Sequence, residues 1–388
     1  FRVDAKYTDN DSKSISLKNT RYYLAELEQG KNASDINRYN LTPSKDYSYA
    51  GQVTYSEPLW KATFLQFSYK FTYSYSKSDR STYRFDDYSF DGITPVYRTW
   101  GSYLDRVGNN WEDTKDDDLS KYSEYKNYTH DIQVMMRFIR NKYNLNFGVM
   151  IQPQRSNFIY DYMGNHKDTV RTVTNFSPTL DFRYRFSKMS NLRVNYRGTT
   201  AQPSISQLLD ITDNSDPLNI SKGNPGLKPS FTQNFRLFYN NFVQNHNKGV
   251  MTFVNFSTTR NSISNKVEYD EKTGGRTTTP ENINGNWNVM GAFMFNCSID
   301  SAGVWNINTG AHANYNNYVS YLSVDQNSSS LKNTTRSLTW RQNLSFSYRN
   351  DWAEFSLDGT LSYNKAKNKL QPNSNLNTWQ FSYGPSMT

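Results

Sequence analysis

The chain has 388 residues, with 44 Lys and Arg against 35 Asp and Glu, a formal charge of +9 and a mean hydropathy of −0.85. Only 36% of its residues are hydrophobic, yet 16% are aromatic, including 30 Tyr and 23 Phe; a solid core of this size would need more aliphatic content. The lone Cys297 excludes an internal disulfide framework and a thiolate metal cluster, no run approaches the roughly 20 apolar residues of a membrane helix, and the dispersed Lys and Arg set nucleic acid aside.

From the first residues, apolar and polar side chains alternate. Phe1, Val3, Ala5 and Tyr7 stand against Arg2, Asp4 and Lys6, a strand pattern entered midway. A polar stretch from Thr8 to Asp46 reads as a loop, with a short helix possible over Tyr22 to Glu28. A strand near Tyr47 to Tyr55 turns at Glu57 and Pro58, and the next is the clearest in the chain: Leu65, Phe67, Tyr69, Phe71, Tyr73 and Tyr75 face one way, Gln66, Ser68, Lys70, Thr72 and Ser74 the other. The segment Lys77 to Lys126 reads as a long loop holding Asp86, Asp87, Trp100, Trp111 and Asp116 to Asp118. Those residue types suit a sugar face or a divalent ion, but the spacing matches no EF-hand, and a solvated loop is the favoured reading.

Later strands repeat the theme. Leu180, Phe182, Tyr184 and Phe186 alternate with Asp181, Arg183 and Arg185; Leu192, Val194 and Tyr196 alternate with Arg193, Asn195 and Arg197. Val289, Phe293 and Phe295, then Trp305 and Ile307, then Leu338, Trp340, Leu344 and Phe346, then Phe355, Leu357, Leu361 and Tyr363 continue the apolar side, and Cys297 falls on it. Short turns near residues 57, 141, 189, 245, 301 and 350 separate long connections at 201–228, 259–285, 317–333 and 365–375. About 14 strands result, several longer than the about 9–11 residues that cross a bilayer. Fixed repeats of a solenoid or propeller are not found.

An aromatic face opposite an arginine-rich one fits a closed transmembrane barrel, in which lipid-facing residues alternate with residues lining a wet lumen. The expected fold is all-β, a transmembrane antiparallel up-and-down β-barrel, with both chain ends on the periplasmic side.

The stretch from Arg171 to Phe242 also carries a family resemblance. Tyr196-Arg197-Gly198, Gln202-Pro203-Ser204 with Gln207-Leu208, Asp216-Pro217-Leu218, and Gly223-Asn224-Pro225 followed by Leu227-Lys228-Pro229 stand in a specific order, with a weaker echo in Tyr55-Ser56-Glu57-Pro58-Leu59. In these residues the chain resembles the outer-membrane barrels of TonB-dependent receptors in Gram-negative bacteria. The resemblance implies a barrel of about 22 strands, so residues 1–388 would form one partial barrel domain lacking a plug and final strands; the ending Pro385-Ser386-Met387-Thr388 departs from the usual terminal aromatic. It also implies import of a bulky nutrient such as a metal chelate, glycan or peptide, with outer-membrane lipid, an unidentified extracellular ligand, a plug and TonB as partners.

On the expected lumen wall lie Arg137, Arg183, Arg185, Arg193, Arg197 and Arg236, which either pair with Asp181 and loop carboxylates or contact a plug. Gln202, Pro203, Gly223, Asn224, Pro225 and Pro229 form the family-motif loop, read by default as a structural return from loop to strand. His130, His166 and His246 read as turn or loop residues and His312 as a lumen residue, none beside an activated nucleophile. No enzyme activity and no cofactor are expected. A passive porin-like barrel, and a surface adhesion or assembly protein, are the alternatives.

Overall fold

The computed structural model describes residues 1–21, 33–85, 104, 110–208, 212–213, 216, 218–244, 247–270, 274–323 and 329–387. Period-two alternation makes strands here because each exposes one face to each of two environments. They are β1 (Arg2–Arg21), β2 (Ala33–Trp60), β3 (Thr63–Arg84), β4 (Lys115–Ile139), β5 (Tyr143–Tyr162), β6 (Asn165–Ser187), β7 (Ser190–Ala201), β8 (Thr212–Asp213), β9 (Asn219–Lys222), β10 (Ser230–Val243), β11 (Lys248–Arg260), β12 (Ser262–Tyr269), β13 (Arg276–Ile283), β14 (Asn286–Ser298), β15 (Trp305–Leu322), β16 (Leu331–Arg349), β17 (Glu354–Asn368) and β18 (Leu376–Met387). One four-residue helix, α1 (Ile205–Leu208), follows β7.

Fourteen strands form one sheet in the order β1-β2-β3-β4-β5-β6-β7-β10-β11-β14-β15-β16-β17-β18, and β12-β13-β9-β8 form a second, small one. Every neighbouring pair in the large sheet is antiparallel, so the chain runs up and down as expected, with β8, β9, β12 and β13 as excursions from the long-loop end.

The registers sort the side chains into two faces. Phe182, Val194, Leu237, Val254, Gly291, Ala313, Trp340, Tyr363 and Trp379 stand side by side across nine strands on one face. On that face aromatic rings meet in an outer band: Tyr47 and Tyr75 at 4.7 Å, Tyr73 and Tyr128 at 5.1 Å, Tyr196 and Phe235 at 4.6 Å, Trp287 and Tyr315 at 5.1 Å. A second band lies near the short turns, with Tyr184 and Phe186 at 4.7 Å and Trp305 and Tyr348 at 4.6 Å. On β15 the bands are separated by the step from Trp305 to Tyr315, roughly 34 Å along a strand and about 25 Å along the normal of a tilted barrel. That is the height of a lipid-facing band between two girdles. The apolar side chains there are exposed, among them Phe293 at 42% and Leu344 at 53%, because lipid takes the place of a core. Cys297 shares this face, opposite Ile307.

Several boundaries differ from the sequence reading. The first short turn lies at Lys61 and Ala62, beyond Glu57, because β2 continues through Pro58 with an irregular register to Trp60. The polar residues Thr8 to Arg21 and Ala33 to Asp46 are ladder, Thr8 opposite Asp46 and Arg21 opposite Ala33; above a membrane both faces are wet and the alternation that marks a strand disappears. Residues 77–84 and 115–126 are strand as well, since Lys77 pairs with Glu124 and Tyr83 with Lys115. Tyr22 to Glu28, Asp86, Asp87, Trp100 and His246 lie outside the described residues. An unforeseen tight turn, Met163 and Gly164 with φ of 52° and 68°, joins β5 to β6, the double positive φ of a two-residue hairpin turn. Long connections 201–228 and 259–285 fold on themselves into the small sheet.

The short turn between β14 and β15 is held by one carboxylate. Asp300 accepts hydrogen bonds from the backbone N–H groups of Trp305 at 2.7 Å and Val304 at 3.0 Å, and these hold its carboxyl below the usual value. A depressed folded-state pKa stabilises above the unfolded value and loses that contribution as pH falls through the folded one. Amide protection in this turn, taken relative to intrinsic exchange at the same pH, is therefore expected to fall below about pH 4 in the native chain, and in Asp300→Ala to be low at every pH.

Candidate functional site

The face opposite the aromatic bands carries Asn, Gln, Ser, Thr and Arg. All six arginines expected on the lumen wall lie on it. Asn144 and Arg193 stand opposite Arg183, Asn191 opposite Arg185, Asn146 opposite Arg137, Asn195 and Asn255 opposite Arg236, and Thr179 and Asn234 opposite Arg197. Arg193 reaches Asp181 through Nε at 3.2 Å and an Nη at 3.0 Å, and Asn195 donates to the same carboxylate at 3.2 Å. Arg137 donates to Gln66 at 3.3 Å and Arg236 to Asn255 at 3.3 Å. Arg183, Arg185 and Arg197 are exposed and make no side-chain hydrogen bond or ion pair among the described residues. Arg193 is thus paired within the sheet, while Arg183, Arg185 and Arg197 are exposed on the same face.

Toward the long-loop end an amide network covers the inner side of β4, β5 and β6. Gln152 donates to Asp131 at 2.6 Å, Asn175 to Gln152 at 2.8 Å, and Gln154 and Ser156 to Asn127 at 2.8 and 2.9 Å. The network continues into the motif loop, where Gln202 Nε2 donates to Asn175 at 2.6 Å and Gln202 Oε1 accepts from Arg171 at 3.0 Å; Arg171 also donates to the Pro203 carbonyl at 3.2 Å. Ser204 and Gln207 close α1 reciprocally, each side chain accepting from the other's backbone N–H at 3.3 and 3.0 Å, a capping-box arrangement. Gln202 and Pro203 therefore fasten the loop that leaves β7 to the lumen wall. Arg171→Ala removes two charge-assisted bonds, and the loop is expected to lose roughly 1.5–3 kcal/mol of local stability. Hydrogen exchange at 204–208 checks this; unchanged exchange contradicts it.

The other half of the motif returns the chain to β10. Gly223 is buried, as is Leu227. Asn224 donates to the Pro280 carbonyl at 3.0 Å and accepts from the Gly226 N–H at 2.9 Å; Asn282 of β13 accepts from the Lys228 N–H at 2.7 Å and donates to its carbonyl at 3.0 Å; the Pro229 carbonyl accepts from Asn261 at 3.4 Å. Pro225 is exposed between them. Hairpin β12–β13 clasps this return segment, a partnership across more than 50 residues that the motif itself does not signal.

Where the amide network meets the loop leaving β7 lies a cavity of about 610 Å³, lined by Tyr125, Phe158, Tyr160, Arg171, Gln202 and neighbouring serines. Phe158 and Tyr160 stack at 5.7 Å, and Lys121 lies 5.0 Å from the Tyr160 ring centre. The arrangement can hold a polar molecule by hydrogen bonds and an apolar face by stacking.

The remaining candidates lie elsewhere. Asp116 accepts from Arg84 at 3.3 Å and from the Leu119 N–H at 2.9 Å, and Lys115 lies 3.4 Å from Asp117. His130 is a strand residue, not a turn residue: it sits on β4 facing the lipid side, its Nδ1 2.8 Å from the Tyr69 hydroxyl. His166, bonded to Asp161, is the second residue of β6, and His312 lies on the lumen face opposite Arg341. Among the described residues no serine, threonine or cysteine side chain is hydrogen-bonded to a histidine; the hydroxyl that His130 meets is the phenol of Tyr69.

A family comparison agrees with this geometry. Residues 1–384 match the model of a family described as outer membrane protein beta-barrel. Among solved structures, the chain is similar to the alcaligin outer-membrane receptor FauA from Bordetella pertussis, at 10% identity and a TM-score of 0.38, covering 99% of this chain and 57% of that one. It is similar to the copper transporter OprC at 11% identity and a TM-score of 0.46, covering 100% and 62%, and to the ferric-catecholate import receptor Fiu from E. coli K12 at 10% and 0.38, covering 92% and 57%. At such identity the likeness concerns the fold alone, and the chain spans less than two thirds of these proteins' length. No curated protein sequence matches the chain.

Proposed function

The chain belongs to the outer membrane protein beta-barrel family, and from that premise we propose that it is the barrel wall of a TonB-dependent receptor that imports a bulky nutrient, a metal chelate, glycan or peptide. The barrel lies in the outer membrane, with long loops extracellular and short turns periplasmic, and the family is one of membrane barrels, not of enzymes. The extracellular half of the lumen captures the nutrient, a plug domain of the whole protein occludes the lumen, and TonB draws on the plug from the periplasm.

The observation that carries this reading is the arginine wall. Arg183, Arg185 and Arg197 are exposed toward the lumen while Arg193 is neutralised by Asp181. A lumen lined by fixed, unneutralised cations suits an occupying domain that brings carboxylates. The specific order of the Tyr196 to Pro229 motifs supports the same family reading.

The test is ion conductance of the whole protein in a planar lipid bilayer. An occluded barrel is electrically silent, and Arg183→Glu with Arg185→Glu produces openings by repelling the plug. A steady open-pore current from the native protein would overturn the receptor reading in favour of a passive porin.

A further inference from the structure

The lipid-facing side of β16 and β17 changes from oily to basic just beyond the outer aromatic band. The rings of Tyr363 and Trp379 meet, tilted, at 4.3 Å, and Trp340 meets Trp379 edge-on at 6.3 Å. Farther outward on the same face, Leu338 stands opposite Lys365 and Arg336 opposite Lys367. Like charges directly opposite on a sheet destabilise it. Here the flanking outward residues are Asn317 on β15 and Asn377 on β18, and Arg336 Nε donates to Asn317 at 3.2 Å. Among the described residues no carboxylate pairs with any of the three cations. On β3 and β4 the contrast is plain: there Lys77 lies 3.9 Å from Asp79 and Lys126 2.5 Å from Glu124.

Height matters as much as charge. Lys365 is two residues beyond Tyr363 and Arg336 four beyond Trp340, about 7 and 13 Å along the strands, where the headgroups of the outer leaflet begin. Long basic side chains reach such a layer while their stems stay on apolar surface.

We propose that Arg336, Lys365 and Lys367 bind the phosphate groups of an outer-leaflet glycolipid, whose acyl chains lie against Leu338, Trp340 and Leu361. A phosphate between strands turns the repulsion of Arg336 and Lys367 into two charge-assisted contacts, bidentate from the guanidinium and point-like from the ammonium. Nothing in this depends on what the lumen transports.

The test is native mass spectrometry of the whole, delipidated protein titrated with bis-phosphorylated lipid A. The variant carrying Arg336→Glu, Lys365→Glu and Lys367→Glu is expected to bind at least about tenfold more weakly. The milder pair Arg336→Gln and Lys367→Gln, which leaves the fold no new charge, is expected to weaken binding in the same direction. Dephosphorylated lipid A is expected to bind native and variant proteins equally, and millimolar inorganic phosphate not to displace the lipid. Equal binding of lipid A by native and variant proteins, undiminished binding of the dephosphorylated lipid, or full displacement by phosphate would each overturn the site.

Discussion

Gly148→Val is expected to leave little folded barrel in the outer membrane. Gly148 lies on the lumen face of β5 opposite Met135, and a Cβ there would stand 2.3 Å from the Val134 carbonyl oxygen and 2.8 Å from the Met135 Cα. Both are backbone atoms of β4, so no rotamer change relieves the clash; the two strands must part, and their ladder with them. Glycine is needed wherever another backbone approaches this closely. Overpacking of this kind costs about 1–3 kcal/mol when neighbours can shift and more when they are backbone. Gly51, where an added Cβ meets nothing within 4 Å, is the control, and Gly51→Ala is expected to fold normally. Heat-modifiable mobility on gels separates folded from unfolded barrel for both.

A charge on the lipid face should be nearly as damaging. Phe293 lies on β14 between the aromatic bands, opposite Thr252 and Ala311, and Phe293→Arg is expected to destabilise the barrel by about 2–4 kcal/mol. Its neighbour Met294 faces the lumen, opposite Met251 and Gly310, and Met294→Arg is expected to cost under about 1 kcal/mol. Denaturant midpoints in lipid vesicles give both values. Equal costs at the two positions would mean that the faces are not divided as described.

The fold was legible wherever lipid forces the two faces apart. Leu65 to Tyr75 and Leu180 to Phe186 alternate without a break because each outward residue meets hydrocarbon and each inward one water. Beyond the headgroups that pressure ends. Ser12, Lys13 and Ser14 pair with Thr42, Leu41 and Asn40, and Ser262 to Tyr269 pair with Arg276 to Ile283, with polar residues on both faces; such strands read as loops. Met163 and Gly164 were hidden for another reason: Phe158 to Tyr160 run apolar on both faces and Asn165 to Thr169 polar on both, so neither flank alternates to announce a hairpin.

The wall was more legible than the site. Arginine positions followed from parity alone, because one register error would turn every one of them toward lipid. Gln202 and Pro203 stood out as a motif, but their anchors did not. Arg171 lies 31 residues before Gln202 and Asn175 lies 27 before it, and only the turn at Met189 and the pairing of β6 with β7 bring them together. The clasp of Lys228 by Asn282 depends in the same way on a second sheet made entirely of loop sequence.

Spin labels placed one at a time from residue 288 to 295 of β14, in a Cys297→Ser background, test most directly the division of the sheet between hydrocarbon and water. Collision with dissolved oxygen is expected to peak at 289, 291, 293 and 295, and collision with a water-soluble nickel chelate to be lowest at those same positions. A uniform profile, or the opposite phase with 290, 292 and 294 in the oily environment, would contradict a barrel that faces lipid with its aromatics and encloses its arginines.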